Sequence, residues 1–206
     1  TFKLTATVLP ENATNKEVTW GIKKIEGYDD RYVTIDLEGN VTAESDGFVI
    51  ITATCGTLTD EIKIHVMPTL TVAEQGDFAV TFDDETKEAT LSTYKGTSTA
   101  VITPTEVVNP TNNETYKVTK IGNNCFKNSQ TLERIKISEG VIAIGNTAFY
   151  SCTSLYTLHY PSTLKDIGYN CFYNCKSLED GSLPEGIEYI GMNLYNSCSS
   201  LVKVTL

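Results

Sequence analysis

The sequence predicts two all-β domains in tandem: a sandwich of short strands, then a solenoid of stacked parallel coils. Three observations carry that expectation. Ile-Gly recurs at Ile121-Gly122, Ile144-Gly145, Ile167-Gly168 and Ile190-Gly191, always at an interval of 23 residues. A fixed period of that size is the mark of a solenoid, in which each unit buries its edges on its neighbours. Residues 1–66 lack the period and instead show short β-rich runs between turn residues. Finally, 40% of residues are hydrophobic, enough for packed cores, with no run long enough to span a membrane as a helix.

Each coil can be built from its residues. Five places after each Ile stands Phe126, Phe149, Phe172 or Tyr195, and eleven places after it Leu132, Leu155, Leu178 or Leu201. Leu132 to Ile137 reads as a short strand with Leu132, Ile135 and Ile137 inward. Val141, Ile142 and Ile144 return to the core, and Gly145 is expected at a turn with positive φ. Asn124, Thr147, Asn170 and Asn193 are N-cap types, so a single helical turn is expected to follow, carrying Ala148-Phe149 and then Cys152. Two positions depart from the columns. Gly181 stands where Ile135, Leu158 and Val204 stand, and Leu194 where a small residue or Cys is found. Local slack is expected at both.

Upstream of the repeats, Phe78, Val80 and Phe82 alternate, Asp83-Asp84-Glu85 turns, and Ala89 and Leu91 alternate again. This predicts a β-hairpin cap over the solenoid's open edge. Val101 to Pro104 reads as the end of a repeat strand, followed by an insertion containing Asn109-Pro110 and Asn112-Asn113. The last coil stops at Leu206, which predicts a frayed coil or a further cap. In the first third the expected strands are Phe2–Leu9, Glu17–Ile22, Tyr32–Ile35, Val41–Ala43, Phe48–Ala53 and Asp60–Val66, with Trp20 anchoring two facing sheets. The expected division is 1–67 sandwich, 68–76 linker, 77–120 cap and partial repeat, and 121–206 repeats.

The pattern Leu-x-x-Ile-x-Ile followed by Ile-Gly-x-x-Ala-Phe-x-x-Cys resembles the BspA-type leucine-rich repeat over residues 121–206. The segments Leu4 to Pro10, Val18-Thr19-Trp20, Gly39 to Ala43 and the Ile-Thr-Ala-Thr of residues 51–54 resemble the group-2 bacterial Ig-like domain. The first strand of that family is missing, which implies a trimmed chain. Together the resemblances imply a secreted or cell-surface bacterial protein with an Ig-like spacer and a leucine-rich solenoid. They imply a binding or adhesion role toward a host extracellular protein or glycan, in a monomer whose anchor lies elsewhere. The alternative they imply is an accessory glycan-targeting module of a polysaccharide-utilisation system.

The residues point to no chemistry. With 16 Lys+Arg against 26 Asp+Glu, the net charge of −10 argues against a nucleic-acid partner. The two histidines, His65 and His159, fall in different domains, and no phosphate loop, zinc-protease helix or nucleophile elbow occurs. Neither an enzyme nor a cofactor is expected. Of six cysteines, Cys152, Cys175 and Cys198 share one column, and none forms a Cys-x-x-Cys pair. They read as buried thiols rather than disulfides or metal ligands. The acid pairs Asp29-Asp30 and Asp83-Asp84 read as turns rather than calcium ligands.

The candidate binding surface is the outward side of the repeat strands: Arg134, Lys136, Tyr156, Thr157, His159, Glu179, Asp180 and Lys203. These places vary from coil to coil while the inward columns repeat, as recognition on a rigid frame requires. Tyr150, Tyr169 and Tyr173 form a second candidate patch.

Overall fold

The computed structural model describes residues 1–23, 33–44 and 47–206. The pair Asp29-Asp30, Tyr32 of the third expected strand and Asp46 of an expected turn lie outside the described residues. The chain divides into two compact units, Thr1–Pro68 and Thr69–Leu206.

The first unit contains β1 (Phe2–Lys3), β2 (Thr19–Lys23), β3 (Val33–Ile35), β4 (Asn40–Ala43), β5 (Gly47–Cys55) and β6 (Leu58–Val66). They form two three-stranded antiparallel sheets, in the orders β1-β4-β3 and β2-β5-β6. Val33 and Val41 of the first sheet share one apolar cluster with Val49 and Ile51 of the second, and Trp20 packs against it. Gly39 turns with φ +84° between β3 and β4, where a Cβ would lie 2.7 Å from the Leu4 carbonyl and 3.0 Å from the Trp20 ring. The strand expected over Phe2–Leu9 stops at Lys3. Past Leu4, the alternating Ala6 and Val8 line an open groove of about 390 Å³ with Trp20 and Ile51, and among the described residues no strand pairs with residues 5–9. His65 stacks on Phe48 across β5 and β6, centroids 4.0 Å apart.

The second unit runs β7 (Thr71–Val72), a short 3-10 helix (Gln75–Asp77), β8 (Phe78–Asp83), β9 (Glu88–Tyr94), β10 (Ala100–Ile102), β11 (Glu106–Val108), β12 (Thr115–Ile121), β13 (Arg134–Lys136), β14 (Ala143–Ile144), β15 (Thr157–His159), β16 (Asp166–Ile167) and β17 (Tyr189–Ile190). One parallel ladder is β7-β10-β13-β15. The other is β8-β9-β12-β14-β16-β17, antiparallel only at β8-β9 and with β11 folded back on β12. Ile121, Ile144, Ile167 and Ile190 pair in direct register, so the 23-residue period is the coil. This is a leucine-rich-repeat β-solenoid with almost no helix.

The aromatic column fills its centre. Phe126, Phe149 and Phe172 are fully buried and stack face to face, with centroid spacings of 5.0 and 5.2 Å. Phe78 and Tyr94 of the hairpin lie against Phe126 and close that end of the stack. Val141 and Ile144 are buried as expected, but Ile142 is exposed.

The segment after each Ile-Gly is a run of turns, not the expected helical turn. Asn124, Thr147, Asn170 and Asn193 all have φ between 51° and 60°, so they do not act as N-caps. Four residues on, Asn128, Ser151, Asn174 and Ser197 are again left-handed. A left-handed residue every fourth place breaks helical propagation, and Asn tolerates that conformation best after Gly. The resulting bonds alternate. Asn124, Phe126 and Asn128 donate N–H to Asn146, Ala148 and Tyr150 of the next coil, at 3.1, 2.7 and 2.8 Å. Lys127 and Ser129 donate within their own coil, to Asn124 and Phe126. The turns are therefore a third coil-to-coil ladder.

The Ile-Gly glycines also differ from expectation. Gly122, Gly145, Gly168 and Gly191 are not among the positive-φ residues. What they supply is close approach: a Cβ on Gly145 would lie 2.6 Å from the Asn123 nitrogen, and one on Gly168 2.5 Å from that of Asn146.

All six cysteines are free thiols. The column Cys152, Cys175 and Cys198 donates S–H to the carbonyls of Phe126, Phe149 and Phe172 in the preceding coil, at 3.0, 3.1 and 3.0 Å. Burial pushes the Cys152 thiol up to about 12, and raises Cys125, Cys171 and Cys175 further. A thiol held protonated and buried does not react as a nucleophile. Disulfide-exchange titration at pH 8 is therefore expected to leave these four thiols silent in the folded chain and to count all six after unfolding; fast native reaction of Cys152 or Cys175 would contradict the burial.

Candidate binding face

The β7-β10-β13-β15 ladder presents the predicted surface. Its middle row, Val101, Ile135 and Leu158, faces the core, so the residues on either side face outward. Arg134 pairs with Thr157 and Lys136 with His159. Asp180 and Lys203 hold the equivalent places one and two coils further and form an isolated bridge. Lys136, His159, Glu179, Asp180 and Lys203 are exposed, while Arg134, Tyr156 and Thr157 are half-buried.

Two contacts organise the far end of this face. The Tyr156 hydroxyl donates to Glu179 Oε2 at 2.9 Å. Burial, and next that bond, raise the Tyr156 phenol above its usual range. Lys203 donates to Asp180 Oδ2 at 3.0 Å, and the Ser182 N–H to Asp180 Oδ1 at 2.8 Å. The Ser182 hydroxyl and N–H, together with Lys203, hold the Asp180 carboxyl at about 2. A depressed carboxylate contributes its stability above the ordinary value of 3.8 and loses it as pH falls toward about 2. An Asp180 carboxyl resonance titrating near 3.8 would contradict this pairing.

The ladder lapses between these coils. Residues 156–160 and 179–183 share no backbone hydrogen bond, whereas Gly181 and Leu183 donate onward to Lys203 and Thr205 at 2.8 and 2.9 Å. The cause lies beneath the face. Tyr160 occupies the place of Ile137, and its hydroxyl meets that of Tyr195 at 3.2 Å. Tyr195 in turn donates to the Gly181 carbonyl at 2.7 Å. Two phenols thus share one coil interior, and the aromatic spacing widens to 5.6 Å between Phe172 and Tyr195. The space that Ile135 and Leu158 fill in their own coils is taken at Gly181 by the Tyr195 ring, which a Cβ there would approach to 2.9 Å. Leu194 is likewise packed, at 8% exposure. On the surface the parted coils leave a cleft of about 270 Å³, lined by Tyr156, Thr157, Leu158, His159, Glu179, Asp180 and Ser182.

The structure gathers six of the eight predicted residues around one cleft. Tyr156, Thr157, His159, Glu179 and Asp180 line the cleft, and Lys203 braces its floor through Asp180. Arg134 and Lys136 lie one coil away. Sequence reasoning missed the cleft itself and the Leu158 backbone in it. In the second patch, Tyr150 and Tyr173 stack at 5.0 Å with Lys127 over Tyr150; Tyr169 is exposed and outside that stack. At the cap, Asp83 accepts the Glu85 and Thr86 N–H groups, and Asp84 accepts the Tyr116 hydroxyl. No group of three or more acid, His or Cys side chains among the described residues could hold a metal. No helix among them is long and apolar enough to cross a membrane.

Comparison with known proteins agrees with the solenoid fold. Among solved structures, a leucine-rich repeat protein from Bacteroides capillosus is 26% identical with a TM-score of 0.57, over 64% of this chain and 95% of that one. One from Bacteroides ovatus is 25% identical with a TM-score of 0.52, over 63% of this chain and 40% of that one. The leucine-rich repeat protein of T. pallidum, 21% identical with a TM-score of 0.52 over 66% and 72%, shares the fold. No curated protein matches the chain. Residues 116–206 match the BspA-type leucine-rich repeat region in six copies, and residues 1–66 match the bacterial Ig-like domain of group 2. Neither is a catalytic family. The chain joins a group-2 bacterial Ig-like domain to a BspA-type leucine-rich repeat region.

Proposed function

We propose that this chain is a secreted or cell-surface bacterial binding protein whose solenoid presents the β13-β15 face to a host extracellular protein. The carrying observation is that Arg134, Lys136, Tyr156, Thr157, His159, Glu179, Asp180 and Lys203 change character from coil to coil on a frame whose inward columns repeat. The match to leucine-rich repeats, which generally bind other proteins, supports this reading. In it, residues 1–67 are an Ig-like sandwich acting as spacer, 77–120 the cap and 121–206 the recognition array, while β7, within the expected linker 68–76, already belongs to the solenoid ladder. Adhesion follows from many polar and aromatic contacts on a surface that needs no rearrangement.

The test is binding of the chain to proteins captured from matrix or mucus extract. Lys136→Ala combined with Tyr156→Ala is expected to weaken binding at least tenfold, about 1.4 kcal/mol, with little change in melting temperature. Equal affinity in the double variant would remove the face from the account. Binding confined to a glycan array would replace the protein partner with a saccharide one.

A further inference from the structure

We infer that the cleft between residues 156–159 and 179–182 receives an arginine side chain of the partner protein. The inference rests on the reading that this face binds a protein, and it adds the chemistry of one contact.

The cleft is made by the core, not by a mobile loop. Tyr160, Tyr195 and Gly181 together hold the two coils apart, so the opening exists before any ligand arrives. A preformed recess costs less to fill than one opened by the ligand. Its volume of about 270 Å³ admits one long side chain.

Its charge selects the occupant. Two carboxylates, Glu179 and Asp180, line it. Asp180 is occupied by Lys203 and the Ser182 N–H. Glu179 has no ionic partner among the described residues; its contact is the Tyr156 hydroxyl, bound at one of its two oxygens. That bond fixes the carboxylate beside an aromatic ring and leaves its other oxygen open. A guanidinium fits that open oxygen, because it forms charge-assisted bonds to a carboxylate through a planar fork of donors. The residues that part the coils also leave the Leu158 backbone unbonded across the gap, a further site for its fork of donors. A neutral hexose could use the hydroxyls, but would leave Glu179 uncompensated.

The test is a nuclear magnetic resonance titration of the labelled full chain with N-acetyl-arginine methylamide. Its citrulline analogue has the same shape without the charge. Saturating shifts are expected in the amides of residues 156–159 and 179–182, at least tenfold weaker for citrulline. Glu179→Gln is expected to remove the difference between the two probes while the melting temperature holds. Should that variant unfold, Tyr156→Phe, which frees Glu179 but keeps the ring, is expected to retain the arginine preference. Equal binding of the two probes, saturating shifts elsewhere, or stronger binding of a methyl hexoside would overturn the inference. Loss of partner binding in the Lys136/Tyr156 double variant alongside a negative arginine titration would sink this contact and leave the face standing.

Discussion

Phe149→Ala is expected to cost the solenoid about 3–5 kcal/mol. Phe149 is fully buried and is flanked by a parallel ring on each face, at 5.0 and 5.2 Å. Removing it deletes one aromatic side chain and two stacking contacts. It also leaves a void that the coils cannot close, because three backbone ladders hold their spacing. For a unit of this size the loss should lower the melting temperature by roughly 10 °C. Phe149→Leu, which refills most of the space, should recover more than half of it. A loss of less than about 1 kcal/mol for the alanine variant would mean that the rings do not carry the core.

Gly168→Ala is expected to destabilise by about 3 kcal/mol, although it adds one methyl group. The Gly168 N–H is bonded to the Ile144 carbonyl at 2.8 Å, so the backbone cannot retreat. The new Cβ would lie 2.5 Å from the Asn146 nitrogen, a backbone atom rather than a yielding side chain. Gly76→Ala is the control, since its Cβ would meet nothing within 4 Å; it should change stability by less than about 0.5 kcal/mol. Chemical denaturation of the two variants reads both effects. Similar midpoints would show that the Ile-Gly glycines do not set the coil spacing.

The solenoid was legible because its evidence is a repeat, and a repeat survives ignorance of local geometry. The interval between Ile121, Ile144, Ile167 and Ile190 implies their register whatever the turns between them do. Local conformation was less legible. A glycine column fits either a positive φ or a close approach, and only the distance from Gly145 to the Asn123 backbone separates them. The Asn and Thr positions read as helix caps because those residues favour both caps and the left-handed region. The discriminating signal was in the chain: Asn124 and Asn128, then Asn170 and Asn174, repeat four apart, and a second such residue does not suit the interior of a helix. The outward side of the strands followed from their alternation, so the residues of the candidate face could be named in advance. The cleft could not. Tyr160, Gly181 and Tyr195 each break a different column, and only in three dimensions do they meet.

That meeting point has a mechanical meaning. Where the face ladder lapses, β16 and β17 remain paired and the turn ladder still runs from Asn170, Phe172 and Asn174 to the next coil. Two of three seams are stitched and one is open, so the backbone bonds at this junction restrain every side except the face. A tug on the face would therefore load that open seam first, against the two that remain bonded.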